Sequence, residues 1–111
     1  MLTGPTGPSG SDGGARTERV VTIRNPYGLH ARPAAEFVKL SSRFAAHITV
    51  EKDGLEVNGK SIMGVMMLAA ECGSNLKIVA VGEDAGDAVA ALVALVQDHF
   101  GESAADYEIE T

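Results

Sequence analysis

Between His47 and Asn58 the chain reads HITVEKDGLEVN, two short runs of β-prone residues joined by Asp53-Gly54. Alternation of apolar and polar side chains is the period of a strand with one buried face. Asp-Gly is the dipeptide that accepts positive φ at both central positions of a two-residue turn. Such a turn can join only antiparallel neighbours, since a parallel pair needs a crossover of a dozen residues or more. His47 to Lys52 and Leu55 to Asn58 are therefore expected to form a hairpin, and this excludes an all-parallel sheet.

The other segments arrange themselves around that hairpin. TERVVTIR (Thr17 to Arg24) is β-rich and stops at Asn25-Pro26, so it reads as a strand. Ala31 to Ser42 reads as a helix, with Ala34, Phe37, Val38 and Ala45 near a 3.6-residue period. SIMGVMMLAA (Ser61 to Ala70) reads as a short helix capped by Ser61, and NLKIVAVG (Asn75 to Gly82) as the last strand. Glu83 to Gly101 reads as the longest helix, with Ala85, Ala88, Val89, Leu92, Leu95, Val96 and His99 on one stripe. Asp84 is its expected N-cap and Gly101 its C-cap. The order β-α-β-β-α-β-α predicts an α+β fold, an open-faced sandwich whose four-stranded antiparallel sheet is covered by three helices on one face.

At 111 residues there is room for one domain, expected over Thr17 to Gly101. Residues 1–16 are rich in glycine and proline and read as a disordered extension. Gly4, Gly7 and Gly10 keep a three-residue period, but for too few triplets to hold a triple helix. Residues 102–111 hold four acids and no base, and read as a flexible acidic tail. That tail carries most of the net charge of −6. The body is nearly neutral and lacks a basic stripe, which argues against nucleic-acid binding. The longest apolar run, Ala88 to Val96, is too short to span a bilayer. No charged segment followed by an apolar run opens the sequence, so no secretory signal is expected. The single cysteine, Cys72, suits a reducing cytoplasm and reads as inert, with no basic neighbour in sequence to activate it.

The chemistry points to NPYGLHARPAAEF, Asn25 to Phe37, where a histidine stands at the entry to a helix. A helix start offers unpaired amides and the positive end of the macrodipole, a natural anion site. His30 takes the N-cap position, and Pro33 falls in the first turn, where a missing N–H does no harm. The field of the helix disfavours an imidazolium and so favours the neutral, nucleophilic ring. If that ring accepts a phosphoryl group, the resulting anion meets the helix amides and Arg32. A histidine there can be a covalent carrier, which a serine cap could not be with comparable ease. A plain capping role is the alternative for any lone histidine; Gly28 before it, with Arg32 and Pro33 after it, favours the carrier.

NPYGLHARPAAEFV closely resembles the active-site signature of HPr, the histidine-containing phosphocarrier family of the bacterial phosphotransferase system. GKSIMGVMMLAA resembles that family's second signature, around its regulatory serine, and the element order agrees from about Glu18 to Gly101. The resemblance implies an open-faced β-sandwich and a phosphoryl carrier rather than an enzyme. It implies that Enzyme I, with phosphoenolpyruvate as donor, phosphorylates His30 on Nδ1, and that an Enzyme IIA domain receives the group. Arg32 is then the partner of the phosphoryl group. Ser61 is the position that an ATP-dependent HPr kinase modifies in some bacteria. Ile62, Met63 and Met66 are expected to be partly exposed beside His30, an adaptable apolar patch for docking both partners.

A rival motif lies in GLEVNGKS, Gly54 to Ser61, which satisfies the P-loop pattern letter for letter. In that reading Lys60 holds phosphates, Ser61 holds Mg²⁺ and Asp84 ends a Walker B strand. Leu55 to Asn58 alternates like a strand, however, and the chain has too few βα units for a doubly wound sheet. His47 reads as a surface residue and His99 as a cation in the last helical turn. Neither has a partner at metal-ligand spacing, so no metal and no cofactor is expected. A sugar-uptake carrier and a carrier of the nitrogen-related branch both remain open; a purely regulatory homologue acting through Ser61 would not need His30, and the intact GLHARP argues against it. A monomer suits a shuttle.

Overall fold

A computed structural model describes residues 15–102; residues 1–14 of the expected extension and residues 103–111 of the expected tail lie outside the described residues. The elements are β1 (Ala15–Thr22), α1 (Ala31–Ser41), β2 (His47–Lys52), β3 (Leu55–Asn58), α2 (Ile62–Met67), β4 (Asn75–Gly82) and α3 (Ala85–Gln97), with a 3₁₀ turn at His99–Gly101. The sheet order is β1-β4-β2-β3, and every neighbouring pair is antiparallel.

The hairpin forms as its turn residues dictate. Asp53 (φ 51°) and Gly54 (φ 86°) both take positive φ, and Lys52 pairs with Leu55 across them. Strand alternation then sorts the side chains. Ile48 and Val50 of β2 and Leu76, Ile78 and Ala80 of β4 face inward and are fully buried. The helices supply Ala34, Phe37, Val65, Val89, Leu92 and Val96 to the same core. The opposite face is open, where Val20 of β1 is 58% exposed. Burying one Leu- or Ile-sized side chain contributes about 1.5–3 kcal/mol, so this single apolar layer is the main source of stability.

The boundaries depart from expectation at several places, and β1 stops at Thr22 rather than Arg24. β1 starts two residues earlier than Thr17, because Ala15 and Arg16 pair with Gly82 and Val81 of β4. α1 ends at Ser41, whose buried hydroxyl donates to the carbonyl of Phe37 at 2.9 Å, and Ala45 lies exposed beyond the helix. α2 stops at Met67, with Ala69 at φ 49° where the sequence suggested continuing helix. α3 ends at Gln97 rather than Gly101: His99 (φ 56°) and Phe100 (φ 57°) turn left-handed, so His99 is not in a last helical turn. That reversal buries Phe100 and turns the chain back toward the start of α1.

Asp84 takes the expected N-cap position of α3, but its side chain makes no capping hydrogen bond. Its carboxylate instead accepts the backbone N–H groups of Ala45 (2.9 Å) and Ala46 (2.8 Å), tying the α1–β2 loop to the start of α3. These donors, Ala45 first, hold its carboxyl below the usual carboxylate range.

Candidate functional site

The approach to α1 is fixed from beneath before any reactive group is placed. Ile23 N–H donates to Ser74 O (2.8 Å), Gly73 N–H to Ile23 O (2.7 Å) and Leu29 N–H to Ala70 O (2.8 Å). The loop before α1 is therefore bonded to the loop after α2. Gly28, at φ 66°, lies so close that a Cβ there would overlap the Ala70 carbonyl and approach Glu71 Cα to 2.9 Å. Only glycine combines that φ with that clearance. Asn25 is fully buried, and its Nδ2 donates to Gly28 O at 2.8 Å, closing the turn from inside.

His30 stands at the N-cap of α1 with extended backbone (φ −76°, ψ −175°), and its carbonyl accepts the first helical bond, from Ala34 N–H at 3.0 Å. Its side chain makes no capping hydrogen bond and so leaves the amides of the first turn to another acceptor. The side chain is 37% exposed, yet its Nε2 is enclosed and lies 3.1 Å from Glu102 Oε2. The approach is oblique, so this is a close electrostatic contact rather than a linear hydrogen bond. Tyr27 meets the ring edge-on, with centroids 6.2 Å apart and planes at 84°.

The sequence places Glu102 at the start of a flexible acidic tail. In the structure its side chain is only 4% exposed, with Oε1 accepting from Asn25 Nδ2 at 3.2 Å and Oε2 against His30. No local motif marks this residue; only the left-handed turn at His99 and Phe100 brings it to α1.

Arg32, the second residue of α1, is exposed. Ser61 is the N-cap of α2, and its Oγ accepts Gly64 N–H at 3.0 Å. Ile62, Met63 and Met66 are exposed, Met63 to 74%, while Val65 and Leu68 of the same turns are buried. Met67, which sequence reasoning left out, is also exposed. α2 packs against α1.

The P-loop reading is overturned. Leu55–Asn58 is a strand paired to β2, not a wound cradle, and Lys60 Nζ donates to Phe44 O at 2.6 Å. Asp84 is occupied by the Ala45 and Ala46 amides. Cys72 is exposed, with Sγ 3.6 Å from Arg24 O. Among the described residues no three His, Cys, Asp or Glu side chains gather in a way that could hold a metal. A concavity of about 180 Å³ between α1 and α3 is lined by Glu36, Lys39, Leu40, Arg43 and Leu95, none of them part of the His30 site.

Comparison with known proteins places this geometry in a family. The family model described as "PTS HPr component phosphorylation site" matches residues 17–98. The phosphocarrier protein HPr of Treponema pallidum is 46% identical over 84 residues, covering 76% of this chain and 96% of that protein. The HPr-like protein Crh of Bacillus subtilis is 46% identical over 81 residues, covering 73% and 95%. Among solved structures, HPr of Thermoanaerobacter tengcongensis superposes with a TM-score of 0.75 at 48% identity, covering 78% of this chain and 98% of that one. The fold and the match across residues 17–98 agree: the chain belongs to the HPr family of the phosphotransferase system.

Proposed function

We propose that this chain is a phosphocarrier that accepts a phosphoryl group from Enzyme I, with phosphoenolpyruvate as the ultimate donor, on His30 Nδ1. It then passes the group to an Enzyme IIA domain. One observation carries the reading: the His30 ring sits at the start of α1, its side chain 37% exposed while its Nε2 is enclosed. A surface nucleophile suits exchange between two proteins, each of which must bring its own phosphorus to the same nitrogen. The phosphoryl oxygens meet the amides of the first turn and the Arg32 guanidinium. These are few and shallow contacts, so the group is held without becoming too stable to leave. Ile62, Met63 and Met66 form the docking patch in this reading, and their exposure supports it. A monomeric, cytoplasmic shuttle is part of the same proposal, and no helix among the described residues is long and apolar enough to cross a membrane.

The test is a relay. The chain, charged with Enzyme I and phosphoenolpyruvate and then mixed with an Enzyme IIA domain, passes on its phosphoryl group, and His30→Ala breaks the relay. Arrival of phosphate on the Enzyme IIA domain through His30→Ala sinks the reading.

A second, regulatory reading is favoured by the similarity to the HPr-like protein Crh and by Ser61 at the start of α2. A phosphate on Ser61 would place about two negative charges beside the exposed methionines and oppose docking. Incorporation of phosphate from ATP by an HPr kinase, lost in Ser61→Ala, is the expected result; equal labelling of both proteins removes Ser61 from the account. Whether the carrier serves sugar uptake or the nitrogen-related branch is read from which Enzyme IIA domain accepts the group.

A further inference from the structure

We infer that Glu102 is a positioning residue for His30: it keeps a proton on Nε2 through the whole transfer cycle and so leaves Nδ1 as the reactive nitrogen. The inference rests on the carrier reading above and assigns a role to a residue outside both sequence signatures.

In a neutral imidazole one nitrogen carries the proton and the other a lone pair, and the partner of one nitrogen decides which is which. His30 Nε2 is enclosed, and its polar neighbour is the carboxylate oxygen of Glu102 at 3.1 Å. An enclosed bare lone pair facing a carboxylate is repelled, whereas an enclosed N–H is attracted. The contact therefore selects the Nε2–H tautomer even though its angle is oblique. A rotation of the ring or the carboxylate aligns it as a charge-assisted hydrogen bond. Asn25 holds the carboxylate for this purpose: its Nδ2 donates to Glu102 Oε1 and to Gly28 O, so the acid is fixed to the loop that carries His30. Tyr27 meets the same ring edge-on with centroids 6.2 Å apart, and Arg32 follows in the first turn of α1.

The step balances without any proton movement. The Nδ1 lone pair forms the N–P bond while the bond from phosphorus to the donor breaks, its electron pair leaving with the donor. The ring, still bearing Nε2–H, becomes a cation, and the Glu102 carboxylate compensates that charge. On transfer to the acceptor the N–P electrons return to Nδ1, and the neutral Nε2–H ring is restored. A cationic ring is the better leaving group, so Glu102 keeps the phosphoryl group transferable.

The test uses the full chain and its Glu102→Gln variant, which keeps the size and an acceptor but loses the charge. A glutamine can donate to Nε2 as well as accept from it, so it does not choose a tautomer. Imidazole ¹⁵N shifts of the unphosphorylated proteins are expected to show Nε2–H as the dominant His30 tautomer, and a mixture in the variant. Phosphoryl transfer to an Enzyme IIA domain is expected to fall about tenfold in the variant, the scale on which an orienting carboxylate behind a histidine acts. Glu102→Asp, with the charge retained, restores part of the tautomer preference. Unchanged ¹⁵N shifts in Glu102→Gln overturn the inference while leaving the carrier reading intact. A chain that shows the tautomer shift but accepts no phosphoryl group overturns the carrier reading instead, and with it the role in transfer.

Discussion

The carboxylate of Asp84 accepts the backbone amide of Ala46 at 2.8 Å, joining two loops thirty-eight positions apart in sequence. With the Ala45 amide at 2.9 Å this anchors the chain between α1 and β2 to the start of α3. Amides stabilise the charged carboxylate, so its folded-state pKa lies below 3.8. The sign follows from that depression: the stabilisation is fully present above the unfolded value and is lost as pH falls through the folded one. Asp84→Asn is expected to lower the urea midpoint at neutral pH. The gap from the natural chain should close as the pH drops below 3.8. A gap that persists unchanged at low pH would show that charge is not what the two amides recognise.

Gly28→Ala tests the floor of the site. The left-handed φ alone costs a non-glycine residue about 1–2 kcal/mol, and the overlap with the Ala70 carbonyl adds to it. Loss of stability should be accompanied by a change in the Leu29 amide resonance, because Leu29 N–H bonds to that same carbonyl. A variant as stable as the parent, with that resonance unmoved, contradicts the close approach.

Met63→Glu separates docking from folding. Met63 is 74% exposed, so its replacement should alter unfolding free energy by no more than about 0.5 kcal/mol. At a docking hot spot the same change weakens association by about 1–2 kcal/mol, roughly tenfold in the rate of transfer at limiting partner. Transfer rates that stay level with both Enzyme I and Enzyme IIA would remove Met63 from the docking face.

These outcomes bear on how much of the molecule its sequence discloses. The hairpin was legible because Asp53-Gly54 has one short-range solution, and the strands because Ile48, Val50, Leu76, Ile78 and Ala80 repeat with period two. The histidine, its glycine and its proline were legible as a local pattern at a helix start. The end of α3 was not. The apolar stripe runs on through Val96 to Phe100, and neither His99 nor Phe100 is a residue type that announces a left-handed turn. Missing that turn meant missing Glu102, whose partners Asn25 and His30 are more than seventy positions away. Asp84 does stand at the N-cap of α3 as expected, but where its carboxylate goes was not legible: only the tertiary fold offers it the donors of Ala45 and Ala46.

The account turns on His30 as the phosphoryl acceptor, and one measurement addresses it directly. Intact mass is recorded after incubation with Enzyme I and phosphoenolpyruvate, for the natural chain and for His30→Ala. The expected result is a single phosphoryl group on the natural chain, lost in acid, stable in alkali and absent from His30→Ala. No phosphate on the natural chain, or equal modification of the variant, contradicts the account.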